Sequence, residues 1–266
     1  MRLAVLSDIH GNALALEAVL EDMKRQGTID RVIVAGDFFA PGPATHLILS
    51  LLQQSPHSSY LRGNADRYLL EKTYTTVYSS QGWQGSLRSA FHWTAERLGK
   101  SEVRFLEALP FSQVVGDQPW QLLAVHGSPR SDEEGLTPKS LGAIFTELSI
   151  NSRVQLITCG HTHVPMDEVI NGVRVVNTGS VGLPFDGDPR ACYALISNLK
   201  ANHPRDVQVD LRRVSYNIDS AIQQLRHLNH PAADLTAYNL RHGRPMGNTD
   251  IYTSGSILSN NSSLLS

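Results

Sequence analysis

Five short clusters of Asp, Asn and His each stand just after a run of apolar, strand-like residues. Asp8-Ile9-His10-Gly11-Asn12 follows Leu3-Ala4-Val5-Leu6, and Gly36-Asp37 follows Val32-Ile33-Val34-Ala35. Gly63-Asn64-Ala65-Asp66 follows Tyr60-Leu61. His126-Gly127 follows Leu122-Leu123-Ala124-Val125, and Gly160-His161-Thr162-His163 follows Leu156-Ile157-Thr158-Cys159. One polar residue after a strand is ordinary turn chemistry. Five in succession point to a single site at the edge of a sheet, built from hard oxygen and imidazole donors.

The elements that must position these clusters alternate at first. Leu3 to Leu6 reads as a buried strand, Ala13 to Gln26 as a helix, and Val32 to Ala35 as the next strand. In the first helix Leu16, Val19, Leu20 and Met23 share one face, and Gly27 supplies the stop. Thr45 to Gln54 and Ser59 to Leu61 continue the alternation, which implies βαβ units and a largely parallel sheet. From about 67 to 110 no strong strand signal appears; Leu87 to Leu98 and Glu102 to Leu109 read as a helical insertion or cap. Strands return at Ser112 to Val115 and Gln121 to Val125, with a helix over Pro138 to Leu148. Met166 to Ile170 and Val173 to Val176 flank Asn171-Gly172, a strong two-residue hairpin signal. Further strands read at Arg190 to Ile196 and Val207 to Val214, and a helix at Asp219 to Leu228. The expected fold class is α/β with two packed, mixed β-sheets and helices outside. A single domain spans 1–246, and the Ser-, Asn- and Gly-rich 247–266 reads as a flexible tail.

The bulk numbers exclude several classes. With 41% hydrophobic residues in 266, the chain can bury a substantial core. Lys+Arg 23 against Asp+Glu 25 leaves no basic footprint, so binding to a nucleic-acid duplex is not expected. Cys159 and Cys192 both lie in apolar runs, as buried free thiols would in a reducing compartment. Met1-Arg2-Leu3 leads straight into a strand with no signal-peptide core, and no run approaches the ~20 apolar residues of a membrane span. A cytoplasmic protein with no membrane partner is the expectation; a homo-oligomer is left open.

Asp-x-His, Gly-Asp, Gly-Asn-x-Asp, His-Gly and Gly-His-x-His in this order resemble the calcineurin-like metallophosphoesterase superfamily over roughly residues 1 to 215. Asn177-Thr178-Gly179-Ser180 and Asp186-Gly187-Asp188-Pro189-Arg190 are similar to its small bacterial and archaeal phosphodiesterase branch. The resemblance implies a four-layer α/β/β/α sandwich with a two-metal site at the carboxyl ends of the strands. By that resemblance Asp8, His10 and His163 hold one metal, Asn64, His126 and His161 the other, and Asp37 bridges them and a hydroxide nucleophile. Such donors suit Mn²⁺, Fe, Zn²⁺ or Ni²⁺ better than Ca²⁺, and two ions ~3.5–4 Å apart can clamp an in-line phosphoryl displacement. A small-molecule phosphoester is then the expected substrate. Asn12, Arg67 and Arg190 are candidate substrate contacts, with Asn12 also placed to cap the first helix.

The chain departs from the family pattern at Ala65. Many members carry a His there that protonates the leaving group, with the following acid, here Asp66, as its partner. A positioned general acid contributes ~10²–10⁴-fold, so its loss argues for substrates with good leaving groups. His46 and His92 are candidate replacements, with surface packing the plainer reading of each; core packing is likewise the plainer reading of Trp83, Trp93 and Trp120. Leu183 and Phe185 are apolar where the related branch suggests polar residues. A retromer subunit resembles this fold and works by holding partners, so the alternative is a metal-binding interaction scaffold. A cleft under the insertion would favour small substrates, and a flat apolar patch at Phe38, Phe39 and Phe185 would favour a protein partner. The protein Ser/Thr phosphatase pattern Gly-Asp-x-x-Asp-Arg-Gly is absent from Gly36-Asp37-Phe38-Phe39-Ala40-Pro41-Gly42.

Overall fold

Apolar alternation along short strands builds two sheets and decides which way each faces. A computed structural model describes residues 1–55, 57–116, 120–147, 151, 153–199, 201–203 and 206–246. The sequence expectation for 247–266, and for the helix end at Leu148, lies outside the described residues. The chain begins β1 (Leu3–Leu6), α1 (Ala13–Arg25), β2 (Arg31–Ala35), α2 (Thr45–Gln53), β3 (Ser58–Leu61), with β1, β2 and β3 parallel. Four helices follow: α3 (Asn64–Glu71), α4 (Tyr74–Val77), α5 (Gly82–Ala95) and α6 (Lys100–Glu107). Then come β4 (Ser112–Val115), β5 (Gln121–Val125), α7 (Leu141–Glu147), β6 (Val154–Cys159), β7 (Met166–Ile170) and β8 (Val173–Asn177). The described chain ends β9 (Ala191–Ser197), β10 (Gln208–Val214), α8 (Ile218–His227) and α9 (Ala233–His242).

The sheets run β10-β9-β1-β2-β3 and β4-β5-β6-β8-β7. Both are mixed: in the first β9 runs antiparallel to its neighbours β1 and β10, and in the second β4 and β7 run antiparallel to β5 and β8. Leu3, Val5, Ile33 and Ala35 point one way, against Leu122, Ala124, Leu156 and Val176 of the second sheet. Their alternates Ala4, Leu6, Val32 and Val34 point the other way, against Leu16 and Val19 of α1 and Ile48 and Leu52 of α2. The outer face of the second sheet, Val125, Ile157 and Val175, packs on Leu141, Ile144 and Phe145 of α7. Helices, sheet, sheet, helix make the four layers of the expected α/β/β/α sandwich. Each large side chain buried in these interfaces contributes roughly 1.5–3 kcal/mol.

Local sequence accounts for the turns that matter. Asn12 caps α1, its side-chain oxygen accepting the Ala15 N–H at 3.2 Å. Asn171 (φ 50°) and Gly172 (φ 82°) turn β7 into β8 with both dihedrals positive, the type I′ geometry expected of that dipeptide. Three helices, α3, α4 and α9, occur where the apolar pattern carries no clear periodicity. The first, α3, starts inside the Gly63-Asn64-Ala65-Asp66 cluster, where the Asp66 carboxylate accepts the Gly63 N–H at 2.9 Å. The last, α9, buries Leu235, Ala237, Asn239 and Leu240, which spread around more than half of the helix. Cys159 and Cys192 are buried and free. No helix among the described residues is long and apolar enough to cross a membrane.

Candidate metal centre

Strands β1, β2, β3, β5 and β6 deliver their following loops to one edge of the sandwich, and there seven buried side chains converge. These are Asp8, His10, Asp37, Asn64, His126, His161 and His163, all at most 9% exposed. Five of them, Asp8 (φ 58°), His10 (50°), Asp37 (59°), His161 (65°) and His163 (58°), hold left-handed backbone. A non-glycine residue there costs of order 1–3 kcal/mol. Such strain persists only where the surroundings over-determine it, which is characteristic of functional loops. Gly63 and Gly160 let those loops close up: a Cβ on Gly63 would overlap the Asp37 carboxylate, and one on Gly160 would overlap Ser7 and the Asp8 carboxylate.

Each carboxylate has one oxygen fixed and one free. Asp8 Oδ2 accepts the His161 N–H at 3.0 Å, and Asp37 Oδ1 accepts the Ala65 N–H at 2.9 Å. The other oxygens face the imidazoles. Asp8 Oδ1 lies 3.2 Å from His163 Nε2 and 3.8 Å from His10 Nε2. Asp37 Oδ2 lies between the two groups, 3.8 Å from His10 Nε2 and 3.5 Å from His126 Nε2. Asn64 Oδ1 is 3.0 Å from both His126 Nε2 and His161 Nδ1.

The imidazoles are oriented from behind. Nδ1 of His10 donates to the Ala40 carbonyl, that of His126 to Ala35 at 2.7 Å and that of His163 to Leu183 at 2.6 Å. With the proton on Nδ1, a neutral ring aims the Nε2 lone pair into the site. His10 and His163 thus point two Nε2 atoms at each other across 3.1 Å, a repulsive arrangement that a cation between them relieves. Asp8 Oδ1 is fully buried yet accepts no hydrogen bond. A buried orphan acceptor is costly, and it lies beside those same two nitrogens. The donor set therefore fits divalent transition metals. Asp8, His10 and His163 form one group able to hold an ion, and Asp8, Asp37 and His126 another.

Charge and burial reinforce this. Burial, with His163 beside it, pushes His10 down to about 3. Burial, with His126 beside it, pushes His161 down to about 3. Both rings are therefore neutral and free to donate lone pairs. Burial raises the Asp8 carboxyl, but His163, His126 and His10 outweigh it and hold the group well below the usual carboxylate range. Burial pushes Asp37 well above that range despite His126, with Asp66 and Asp8 adding repulsion.

The remaining candidates occupy other positions. Asp66 is buried and accepts N–H groups from Asp37 (2.8 Å), Phe38 (3.0 Å) and Gly63 (2.9 Å), so it organises two of the site loops. Asn12 caps α1 and donates to the Gly182 carbonyl (3.0 Å) and the Tyr216 hydroxyl (3.1 Å). Arg67 forms a bidentate pair with Asp132 (2.8 and 2.9 Å) and a further bond to Glu133. Arg190 pairs with Asp188 on an exposed loop. Neither arginine lines the cleft above the centre. His46 pairs with Glu102, and His92 with Glu96. Trp120 donates to Ala201 in the inter-sheet core, and Trp93 stacks under Arg97. The cleft walls instead include Tyr78, Leu87 and Phe91 from the helical segment, which carry no signal in the sequence beyond ordinary helical periodicity. Phe185 completes them, stacked on His163 with centroids 4.5 Å apart and 19° between planes.

Residues 1–200 match the calcineurin-like phosphoesterase superfamily domain. The chain is 27% identical over 240 residues to the uncharacterized protein MJ0912 of Methanocaldococcus jannaschii, covering 84% of this chain and 91% of that one. It is 24% identical over 198 residues to the phosphodiesterase YfcE of Escherichia coli K12, covering 74% and 88%. A metallophosphoesterase from Sphaerobacter thermophilus superposes with a TM-score of 0.70 at 28% identity, covering 91% and 99%.

Proposed function

The chain belongs to the calcineurin-like phosphoesterase superfamily, and from that premise we propose that it is a metal-dependent phosphodiesterase of small phosphodiesters. The observation that carries the reading is the convergence of lone pairs: His10 Nε2, His163 Nε2 and the orphan Asp8 Oδ1 around one point. Asp8, His10 and His163 would hold one divalent ion, Asn64, His126 and His161 the other, with Asp37 between them. Mn²⁺, Fe, Zn²⁺ and Ni²⁺ suit these donors. Such ions, when bound, supply Lewis acidity for the phosphoryl oxygens and acidify a water.

The chain's own residues do the rest. The carbonyls of Ala40, Ala35 and Leu183 fix the three Nδ1–H tautomers and so the direction of each ring. Asp66 holds the Asp37 and Asn64 loops in register through the backbone. Tyr78, Leu87 and Phe91 wall the cleft and keep bulk water off a bound ester. Ala65, at the position facing the cleft, gives no proton to a departing group. A scaffold would display an apolar patch, but Phe38 and Phe39 are fully buried in a cluster with Phe105 and Tyr60. The two buried free thiols support a cytoplasmic location.

The test joins metal analysis to a panel of mono- and diesters. Metal-loaded protein should hydrolyse an activated aryl diester, with Mn²⁺ stimulating. Asp37→Asn and His161→Ala should each lose metal content and turnover together. Hydrolysis that persists unchanged in both variants would sink the reading.

A further inference from the structure

The two halves of the candidate centre are braced in different ways. Behind Asp8, His10 and His163 stand main-chain groups: the His161 N–H meets Asp8, and the Ala40 and Leu183 carbonyls meet the two rings. Behind Asn64, His126 and His161 stand side chains as well, and they belong to one cluster. Arg67 and Tyr68 of α3 meet Asp132 and Glu133 of the loop after β5. Tyr68 and Asp132 are buried, while Arg67 and Glu133 are half-buried.

This cluster reaches all three residues of its half. Arg67 lies one helical turn after Asn64 at the start of α3. Its bidentate pair with Asp132, at 2.8 and 2.9 Å, ties that turn to the loop that opens with His126. The loop folds back on itself there. The Ser128 N–H donates to the Ser131 carbonyl at 2.8 Å, and a Cβ on Gly127 would overlap that carbonyl and crowd Asp132. Asp132 is thereby held against the residue that follows His126. Glu133, next in the chain, turns its carbonyl to the His161 ring as an acceptor. His161 Nδ1 is left to face Asn64 Oδ1 at 3.0 Å.

The contact with Asn64 settles a choice of atoms. An Asn side chain presents its oxygen or its NH₂ to a site with almost no change of shape, and only the oxygen binds a cation. The Tyr68 hydroxyl donates its proton to Glu133 Oε1 at 2.8 Å. That leaves the hydroxyl a lone pair to offer, and the Asn64 side chain meets it as a donor. The NH₂ edge of Asn64 is thus held at Tyr68, and Oδ1 is aimed between His126 Nε2 and His161 Nδ1, 3.0 Å from each. Arg67 in turn holds Glu133 where it receives the Tyr68 proton.

Resting on the two-ion reading above, we infer that Arg67, Tyr68, Asp132 and Glu133 are positioning residues for the half formed by Asn64, His126 and His161, and that they set the affinity for its ion independently of the other. None of the four lines the cleft over the centre; they act through the ligands. Groups that orient metal ligands contribute about 10–100-fold in metal affinity.

Calorimetric titration of the metal-stripped full chain with Mn²⁺ tests this without turnover. Wild type should show two binding steps, one of which Asn64→Ala abolishes. Tyr68→Phe removes the hydroxyl and keeps the buried ring. It should weaken that same step about 10–100-fold and leave the other in place. Glu133→Ala, at a half-buried position, should do likewise and serves should the first variant fold poorly. Metal analysis at free Mn²⁺ between the two affinities should then find one ion per chain where wild type holds two. Arg130→Gln loosens the same loop by breaking its outer pairs with Glu134 and Glu147, and should leave both steps unchanged. Both steps weakening together in Tyr68→Phe and Glu133→Ala, neither step weakening, or an equal effect from Arg130→Gln overturns the inference. A wild type that binds no more than one ion overturns the two-ion reading itself, and shows it before any variant is made.

Discussion

The Asp66 carboxylate accepts the backbone N–H of Asp37 at 2.8 Å, tying the loop after β2 to the first turn of α3. Both of its oxygens are used, because Phe38 N–H and Gly63 N–H also donate to it. A fully buried carboxylate holding three amides is a strong arrangement. Asp66→Asn presents an NH₂ to one of those donors and leaves it unpaired. The expected loss is ~2–4 kcal/mol of unfolding free energy, read from denaturant midpoints, with reduced metal content in the folded variant. A variant that keeps the wild-type midpoint and loses only turnover would mean that Asp66 acts on substrate instead.

Metal removal should act on stability as well as on turnover. The Asp8 orphan oxygen and the facing His10 and His163 nitrogens are buried features that only a cation relieves. A chelator should therefore lower Tm, and added Mn²⁺ should raise it as the unfolding free energy grows with the logarithm of free ion, reaching roughly 2.7 kcal/mol at a hundredfold excess over Kd. In Asp37→Asn that response should shrink. A Tm indifferent to chelator and metal in the wild type would contradict the proposed centre.

The clusters were legible because each sits where a short apolar run must stop, and the strand ends at Leu6, Ala35, Leu61, Val125 and Cys159 fall there. Two packed sheets with helices outside were legible in the same apolar runs, and the four-layer sandwich followed from the resemblance to the family. What the sequence could not carry is set by contacts far apart in the chain. His161 presents Nδ1 while His10, His126 and His163 present Nε2, a choice made by carbonyls from other loops. Arg67 meets Asp132 and Glu133 across 65 and 66 residues. The cleft walls come from helix faces whose periodicity signals burial alone.

That placement of Arg67 makes a prediction opposite to a phosphate-binding role. Its guanidinium is already saturated by Asp132 and Glu133, and these acids, with burial opposing, keep it protonated at every accessible pH. Arg67→Gln should cost about 1–3 kcal/mol of stability, since it strands a half-buried pair of acids, while leaving KM within about twofold. A large rise in KM with unchanged stability would show that Arg67 swings to the substrate.

His230, in the turn between α8 and α9, gives the fold an acid sensitivity separate from the centre. It is 3% exposed, its Nδ1 accepts the Ala232 N–H at 3.3 Å, and the Trp93 ring meets it edge-on at 5.0 Å. Burial pushes it down to about 4, the Pro41 main chain opposing and Arg97 adding repulsion. The sign follows from where the proton goes. Above pH 6.5 the ring is neutral in both states and costs nothing. Below 6.5 the unfolded chain takes up a proton that the folded chain refuses, so stability is lost progressively as pH falls from 6.5 to about 4. The loss approaches ~3 kcal/mol at the lower end. Urea unfolding of wild type and His230→Gln at pH 7 and pH 4.5 isolates this from the titration of other groups. Wild type should be the more stable at pH 7, and its advantage should shrink by about 2 kcal/mol at pH 4.5. An advantage that stays constant across that interval would mean His230 is already free to protonate in the folded protein.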